Sequence, residues 1–383
     1  MRLGGQGFYA LDVTDPAQFS ASSVLWEFTD EQDKDLGFSY AKPAVGLFEN
    51  GASLAVFSNG YNNTWQNDDA HVSTTGAAAL YLVDIESGKL VRKLTGAAGL
   101  ANDPLGQDRP NGFAEPVIVD ADGNGMIDRI YVGDFFGHLY AYDLTDKNPQ
   151  QWGSFFGSNT SPLPLVAGAA VNYNPITIRP VVTRGQLNDE LLIVYGTGES
   201  VTDSVYTTPN TMLAVYHGAN PVTTLNDLKQ RKLEYNGGWY ITDQAKPTAS
   251  TDPKGWYFTL ESKTRDMGIV ISPLLRLGEL IWVIRDGSTA AAASCTQSSG
   301  ESHIIAMNPY TGLSLSKSIF AAEKMTSTRI LDGINVGDDL KSFDILKTKD
   351  GEVIVGGGLQ EAQVVIEKTP VPNAVGRQSW RPL

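Results

Sequence analysis

Glu115-Pro116-Val117-Ile118-Val119, the acidic run Asp120-Ala121-Asp122-Gly123-Asn124-Gly125-Met126-Ile127-Asp128, and Arg129-Ile130-Tyr131-Val132-Gly133 together form the pattern of a β-hairpin around a polar turn. A Pro leads into short apolar residues, a turn interrupts them, and a β-branched or aromatic run ends near Gly. The same unit appears upstream as Lys42-Pro43-Ala44-Val45, a turn at Glu49-Asn50-Gly51, and Leu54-Ala55-Val56-Phe57. It returns as Arg179-Pro180-Val181-Val182, a turn around Asn188-Asp189, and Leu191-Leu192-Ile193-Val194-Tyr195-Gly196. A fourth copy is Ser272-Pro273-Leu274-Leu275, a turn at Gly278, and Leu280-Ile281-Trp282-Val283-Ile284.

A third strand follows each hairpin: Tyr81-Leu82-Val83-Asp84-Ile85, Tyr140-Ala141-Tyr142-Asp143-Leu144, Leu213-Ala214-Val215-Tyr216 and Ile304-Ile305-Ala306-Met307-Asn308. A fourth strand is visible in Leu90-Val91-Arg92-Lys93-Leu94 and Trp256-Tyr257-Phe258-Thr259-Leu260. Four-stranded antiparallel units in series, with no helical periodicity between them, imply an all-β fold, a β-propeller. A β-sandwich with irregular loops accommodates the same strand spacing, but the fourfold recurrence of one unit favours the propeller. The steps from Pro43 to Pro116, Pro180 and Pro273 are 73, 64 and 93 residues, so inter-blade insertions are expected. Polar stretches at 61–76, 218–253 and 286–301 are expected to be loops. Phe8-Tyr9-Ala10-Leu11-Asp12-Val13 has no hairpin before it, so the chain starts in mid-blade. Partner strands for it are expected near Val353-Ile354-Val355-Gly356, a closure that would hide unpaired sheet edges.

The bulk composition excludes several classes of function. Lys and Arg total 29 against 43 Asp and Glu, a net charge of −14, which repels phosphate backbones and argues against a nucleic-acid partner. No stretch approaches the ~20 apolar residues of a membrane-spanning helix. The single Cys295 cannot close an intrachain disulfide and has no companion thiolate for zinc. Met1-Arg2 runs directly into Gly4-Gly5-Gln6-Gly7 without a signal peptide, as at a processed boundary.

The acidic run has the chemistry of a calcium loop. Ca²⁺ takes six to eight oxygens at ~2.3–2.6 Å. Positions 1, 3, 5 and 9 of the run are Asp120, Asp122, Asn124 and Asp128, all short oxygen-bearing side chains. Met126 at position 7 offers its backbone carbonyl. Gly123 and Gly125 let the backbone curl with positive φ. The sister turns lack the pattern, so the fold does not require it, and calcium is favoured over magnesium by ligand number and flexibility. The run is no EF-hand: its position 12 is Tyr131 and no helices flank it. Asp134 falls too far along the next strand to join.

This stretch, continued through Asp134 to Gly137-His138-Leu139-Tyr140, resembles the C-terminal propeller of the PilY/PilC family of type IV pilus biogenesis factors and tip-associated adhesins. The opening Gly4-Gly5-Gln6-Gly7-Phe8-Tyr9-Ala10-Leu11-Asp12-Val13-Thr14-Asp15-Pro16 and the closing Gly376-Arg377-Gln378-Ser379-Trp380-Arg381 are similar to that family's domain ends. The resemblance implies one modified, seven-bladed propeller over residues 1–383, non-enzymatic and cell-surface. It implies calcium ligands at Asp120, Asp122, Asn124, the Met126 carbonyl and Asp128, with occupancy biasing pili between extension and retraction. Pilins, minor pilins or a host-surface receptor are the implied partners. The Arg-Gly-Asp tripeptide of some members is missing, since Arg285-Asp286-Gly287 has the wrong order. The family's N-terminal region, which resembles a von Willebrand A domain, lies outside this chain.

Other candidates are weaker. His138 and His303 precede third strands and read as structural, and Trp26, Trp256 and Trp282 sit within strand patterns as core. Gly196-Thr197-Gly198 and Gly356-Gly357-Gly358 lead into no phosphate-binding Lys-Ser/Thr or helix. Asn62-Asn63-Thr64-Trp65-Gln66-Asn67-Asp68-Asp69 reads as a solvated loop rather than a sugar or cation site. The enzymatic alternative is a quinoprotein dehydrogenase, whose repeats Tyr9-Ala10-Leu11-Asp12 and Val24-Leu25-Trp26 echo. One cysteine excludes the vicinal disulfide often found there, and the carboxylates here are contiguous in a hairpin.

Overall fold

The computed structural model describes residues 5–65, 71–96, 99–185, 190–199, 208–243, 254–261, 267–286, 300–320, 330–336, 340–347, 352–357 and 364–367. Its regular elements there are β-strands and short 3₁₀ turns. The chain divides into two compact units, residues 1–180 with 219–224, and residues 181–218 with 225–383. Among the described residues no helix is long and apolar enough to cross a membrane.

In the first unit, strands β1 (Gly7–Leu11) and β2 (Val24–Thr29) pair with each other. Strands β3 (Ala44–Leu47), β4 (Ser53–Ser58), β5 (Ala79–Asp84) and β6 (Leu90–Thr95) form a four-stranded antiparallel meander. So do β7 (Val117–Val119), β8 (Arg129–Gly133), β9 (Leu139–Asp143) and β10 (Gly153–Ser154), the last a strand the sequence did not announce. Strand β5 explains why its residues pack this way. Residues Ala79, Leu80, Tyr81, Leu82 and Val83 are apolar in succession and all fully buried. Successive side chains face opposite ways. Leu80 and Leu82 join Phe48, Leu54, Val56, Phe113, Ile130 and Val132 in one core, which spans both four-stranded sheets. Tyr81 and Val83 join Phe28, Leu36 and Phe57 in another, toward β1–β2. A strand covered on both faces has no polar position to spare, hence the continuous apolar run. Each such side chain contributes roughly 1.5–3 kcal/mol on burial.

In the second unit, Val181–Arg184, Leu191–Gly196, Asn210–Tyr216 and Gly255–Leu260 form the expected meander, with Lys229–Gln230 added in parallel at its edge. The fourth hairpin, Leu274–Arg276 with Glu279–Asp286, turns at Leu277 and Gly278, both at positive φ (54° and 78°). It belongs to a larger sheet that also takes Glu301–Met307, Gly333–Asn335, Trp239–Ile241, Leu233–Tyr235 and Met267–Gly268.

Four expectations are corrected. The stretch 218–253 is not all loop: Lys229–Gln230, Leu233–Tyr235 and Trp239–Ile241 are strands, the last one buried. The partner of β1 is β2, in register from Gly7↔Thr29, while Ser342–Lys347, Glu352–Gly357 and Val364–Glu367 form a separate three-stranded sheet. The ladder with β2 already engages β1 through a connection of only a dozen residues, which is entropically cheaper than a pairing across the whole chain. His303 lies within its strand, opposite Ile284, rather than before it. Asn63 is not solvated: it is fully buried and donates through Nδ2 to the Asp35 and Ala77 carbonyls at 3.1 and 3.0 Å. Trp256 and Trp282 are buried as expected, and Trp26 donates through Nε1 to the Ile85 carbonyl at 2.9 Å. Cys295, the turn at 186–189 and the closing stretch at 376–381 lie outside the described residues.

Candidate metal centre

The hairpin β7–β8 closes differently from its sisters. Its last pair is Val119↔Arg129, leaving residues 120–128 between the strands. The β3–β4 hairpin pairs as far as Leu47↔Ser53 and the fourth hairpin as far as Arg276↔Glu279. A tight turn has therefore been replaced by a nine-residue loop.

Its backbone is shaped by the residues singled out above. Gly123 and Gly125 adopt φ of 81° and 88°, in open surroundings where the dihedral itself is what requires glycine. Asp120 closes the loop by accepting from the N–H groups of Gly123 (2.7 Å), Asn124 (3.1 Å) and Gly125 (2.8 Å). Asp122 accepts from the Asn124 N–H at 3.0 Å, and Asn124 Oδ1 accepts from the Met126 N–H at 2.7 Å. Asp128, 2% exposed, accepts from the Ala121 N–H at 3.0 Å and pairs its own N–H with the Val119 carbonyl. All five predicted residues therefore lie in one loop, four offering side-chain oxygens and Met126 its carbonyl.

The electrostatics are one-sided. Burial raises the Asp128 carboxyl above its ordinary value, and the charges of Asp122 and Asp120 raise it further, against the Ala121 N–H and Arg129. Arg129 points away, donating through Nη1 to the Asp128 carbonyl (2.8 Å) and to Asp143 (3.1 Å). Among the described residues, Asp120, Asp122 and Asp128 form no ion pair with Lys, Arg or His. As the side chains stand, no three Asp, Glu, His or Cys side chains among the described residues are gathered tightly enough to hold an ion. The donor set nonetheless fits a hard cation, since every offered atom is oxygen. The N–H bonds do not exhaust it, because a carboxylate has about four lone-pair sites.

Two partners of the loop carry no signal in the local spacing. Asn124 Nδ2 donates to Glu49 Oε1 at 2.7 Å, from the β3–β4 turn. The Ile127 N–H donates to the Leu47 carbonyl at 2.7 Å. Glu49 and Asn124 are 75 positions apart, so only the sheet arrangement brings them together.

Asp134 stands apart from the loop, as expected. Its fully buried carboxylate accepts from Asn111 Nδ2 (2.9 Å) and the N–H groups of Phe136 (2.9 Å) and His138 (2.8 Å), and faces His138 Nδ1 at 3.0 Å. Burial lowers the His138 pKa, but the charge and hydrogen bond of Asp134 outweigh it and leave the group above its ordinary 6.5. A raised folded-state value means protonation favours the fold. That stability is fully present below about 6.5 and is lost as pH rises through the folded value. The melting midpoint of the parent chain relative to His138→Gln should therefore fall as pH rises from about 6.5 through the folded value. Parallel curves for the two proteins over that window would contradict the pairing.

Serial antiparallel sheets of short strands, joined without long helices among the described residues, are the make-up of a β-propeller. The model of the PilY1 beta-propeller domain family matches residues 1–220, and the chain belongs to that family. The type IV pilus biogenesis factor PilY1 homolog of Xylella fastidiosa (strain Temecula1) is 37% identical over 187 residues, covering 48% of this chain and 12% of that protein. Type IV pilus biogenesis factor PilY1 of Pseudomonas aeruginosa (strain PAO1) is 26% identical over 436 aligned residues, covering 100% of this chain and 35% of that protein. The chain thus spans about a third or less of the length of these relatives. The crystal structure of the Pseudomonas aeruginosa PilY1 C-terminal domain matches with a TM-score of 0.75 at 20% identity, over 96% of this chain and 79% of that one. That likeness shows the fold, a β-propeller.

Proposed function

We propose that this chain is a calcium-binding, non-enzymatic propeller module of a type IV pilus biogenesis factor. The proposed ligands are Asp120, Asp122, Asn124 and Asp128 through side-chain oxygens, and Met126 through its carbonyl. The observation that carries this is the loop: three carboxylates within nine residues, without an ion-pair partner among the described residues, where two sister hairpins close in plain turns. A cation there would relieve the mutual repulsion that raises Asp128. Ions that bind only the folded state stabilise it by mass action, which would order the loop.

The pilus part of the proposal is supported by family membership and by the names of the relatives. Residues 1–383 act in this proposal as one seven-bladed domain at the Gram-negative cell surface. There it contacts pilins, minor pilins or a host-surface receptor, and calcium occupancy biases extension against retraction. Capture of purified minor pilins on the immobilised chain, in calcium and in EGTA, tests it. Retention in calcium that weakens about tenfold in EGTA is expected. No retention in either buffer removes the pilin partners; equal retention removes the ion from the interaction.

A further inference from the structure

Building on loop 120–128 as a calcium site, we infer that Glu49 is its positioning residue. From the neighbouring sheet it aims Asn124 into the site and ties ion occupancy to the β3–β4 hairpin. The two ends of the Asn124 amide are chemically unlike. A carboxylate only accepts hydrogen bonds, so Glu49 Oε1 at 2.7 Å holds the amide nitrogen on its own side. The amide oxygen is thereby left facing the loop, where the Met126 N–H donates to it at 2.7 Å. Asp122 Oδ2 also accepts from Nδ2, at 3.1 Å, but it belongs to the same loop, so Glu49 anchors the amide from outside the loop. Losing Glu49 weakens the orientation that keeps oxygen toward the site, and a nitrogen in the oxygen's place cannot ligate a hard cation. Glu49 acts in this inference by orienting a ligand from the neighbouring turn.

The same turn is fastened to the loop at further points. Besides the Ile127 N–H bond to the Leu47 carbonyl, Phe48 and Ile127 form an isolated parallel bridge. Phe48 is fully buried in the core that spans both sheets. Gly46 makes room for this approach: a Cβ there would lie 2.8 Å from Ile127 Cγ1. The turn carrying Glu49 is therefore anchored, and order imposed on Asn124 passes to an element that packs as one piece with β3 and β4.

Calcium titration by calorimetry on the whole chain tests the inference, comparing the parent with Glu49→Ala and Glu49→Gln. Partners that orient metal ligands typically affect affinity by 10–100-fold, so Glu49→Ala is expected to bind calcium about tenfold weaker. Glu49→Gln still presents an accepting oxygen, though uncharged, and should stay within about threefold of the parent. Melting midpoints in EGTA should agree among the three. In hydrogen exchange, calcium should slow residues 44–58 more in the parent than in Glu49→Ala, where the Ile127–Leu47 and Phe48–Ile127 links remain. Equal affinities for the parent and Glu49→Ala overturn the inference. So does an equal loss in both variants, which would assign Glu49 a purely electrostatic part. A parent chain that binds no calcium fails the site itself, a result distinct from either of these.

Discussion

Saturating calcium should raise the melting midpoint of this chain by on the order of 5 °C, and Asp122→Ala should abolish the rise. At a free ion concentration a hundredfold above the dissociation constant, mass action supplies about 2.7 kcal/mol of stability. Each kcal/mol moves the midpoint of a large domain by roughly 2–4 °C. Asp122 is the clean variant because it is exposed and bonds only to Asn124, so water replaces its contacts when it is truncated. Asp128→Asn separates the ion from the loop's own stability. The amide keeps an oxygen for the Ala121 N–H while removing a buried charge that Asp122 and Asp120 oppose. In EGTA it should melt at or above the parent, and in calcium below it. The two orders are predicted to cross. A parent midpoint unmoved by millimolar calcium would end the metal reading, and an Asp128→Asn variant below the parent in both buffers would make Asp128 a structural residue only.

The four recurring hairpins were legible because a strand buried on both faces leaves a dense apolar signature, as β5 does. The loop was legible for the converse reason: alternate short oxygen-bearing residues with two glycines are unusual in a turn that need only reverse the chain. What the sequence hid was everything set by contact between sheets. Glu49 looked like an ordinary turn residue, because its bond to Asn124 depends on two hairpins lying side by side. Asn63 looked solvated because its neighbours are polar, whereas its own side chain is turned inward to two carbonyls. The partner of β1 was misjudged because apolar alternation identifies a strand without naming its neighbour.

The largest single loss of stability is expected at Asn59, which no motif marks. It is fully buried at the end of β4, and its side chain makes four hydrogen bonds. Nδ2 donates to the Asp35 and Ala77 carbonyls at 3.0 and 2.9 Å. Oδ1 accepts from the Ala79 and Phe113 N–H groups, both at 3.0 Å. One amide therefore fastens the β2–β3 connection, the start of β5 and the approach to β7. Truncation to Ala strands these groups in the interior, and each unpaired buried donor or acceptor costs about 1–3 kcal/mol. The two carbonyls are partly insured, because Asn63 Nδ2 also donates to both of them. The two N–H groups have no such second acceptor described for them, so they set the cost. Asn59→Ala should lose about 3–5 kcal/mol in denaturant unfolding, and Asn63→Ala about 1–2 kcal/mol because Asn59 still serves the shared carbonyls. Asn59→Asp distinguishes this account from simple loss of volume. The carboxylate keeps both accepting contacts but sets a negative charge against two carbonyl oxygens in a buried site, so it should be at least as damaging as Ala. An Asn59→Ala protein within about 1 kcal/mol of the parent, or an Asn59→Asp protein more stable than Asn59→Ala, would show that these strands are held by apolar packing alone.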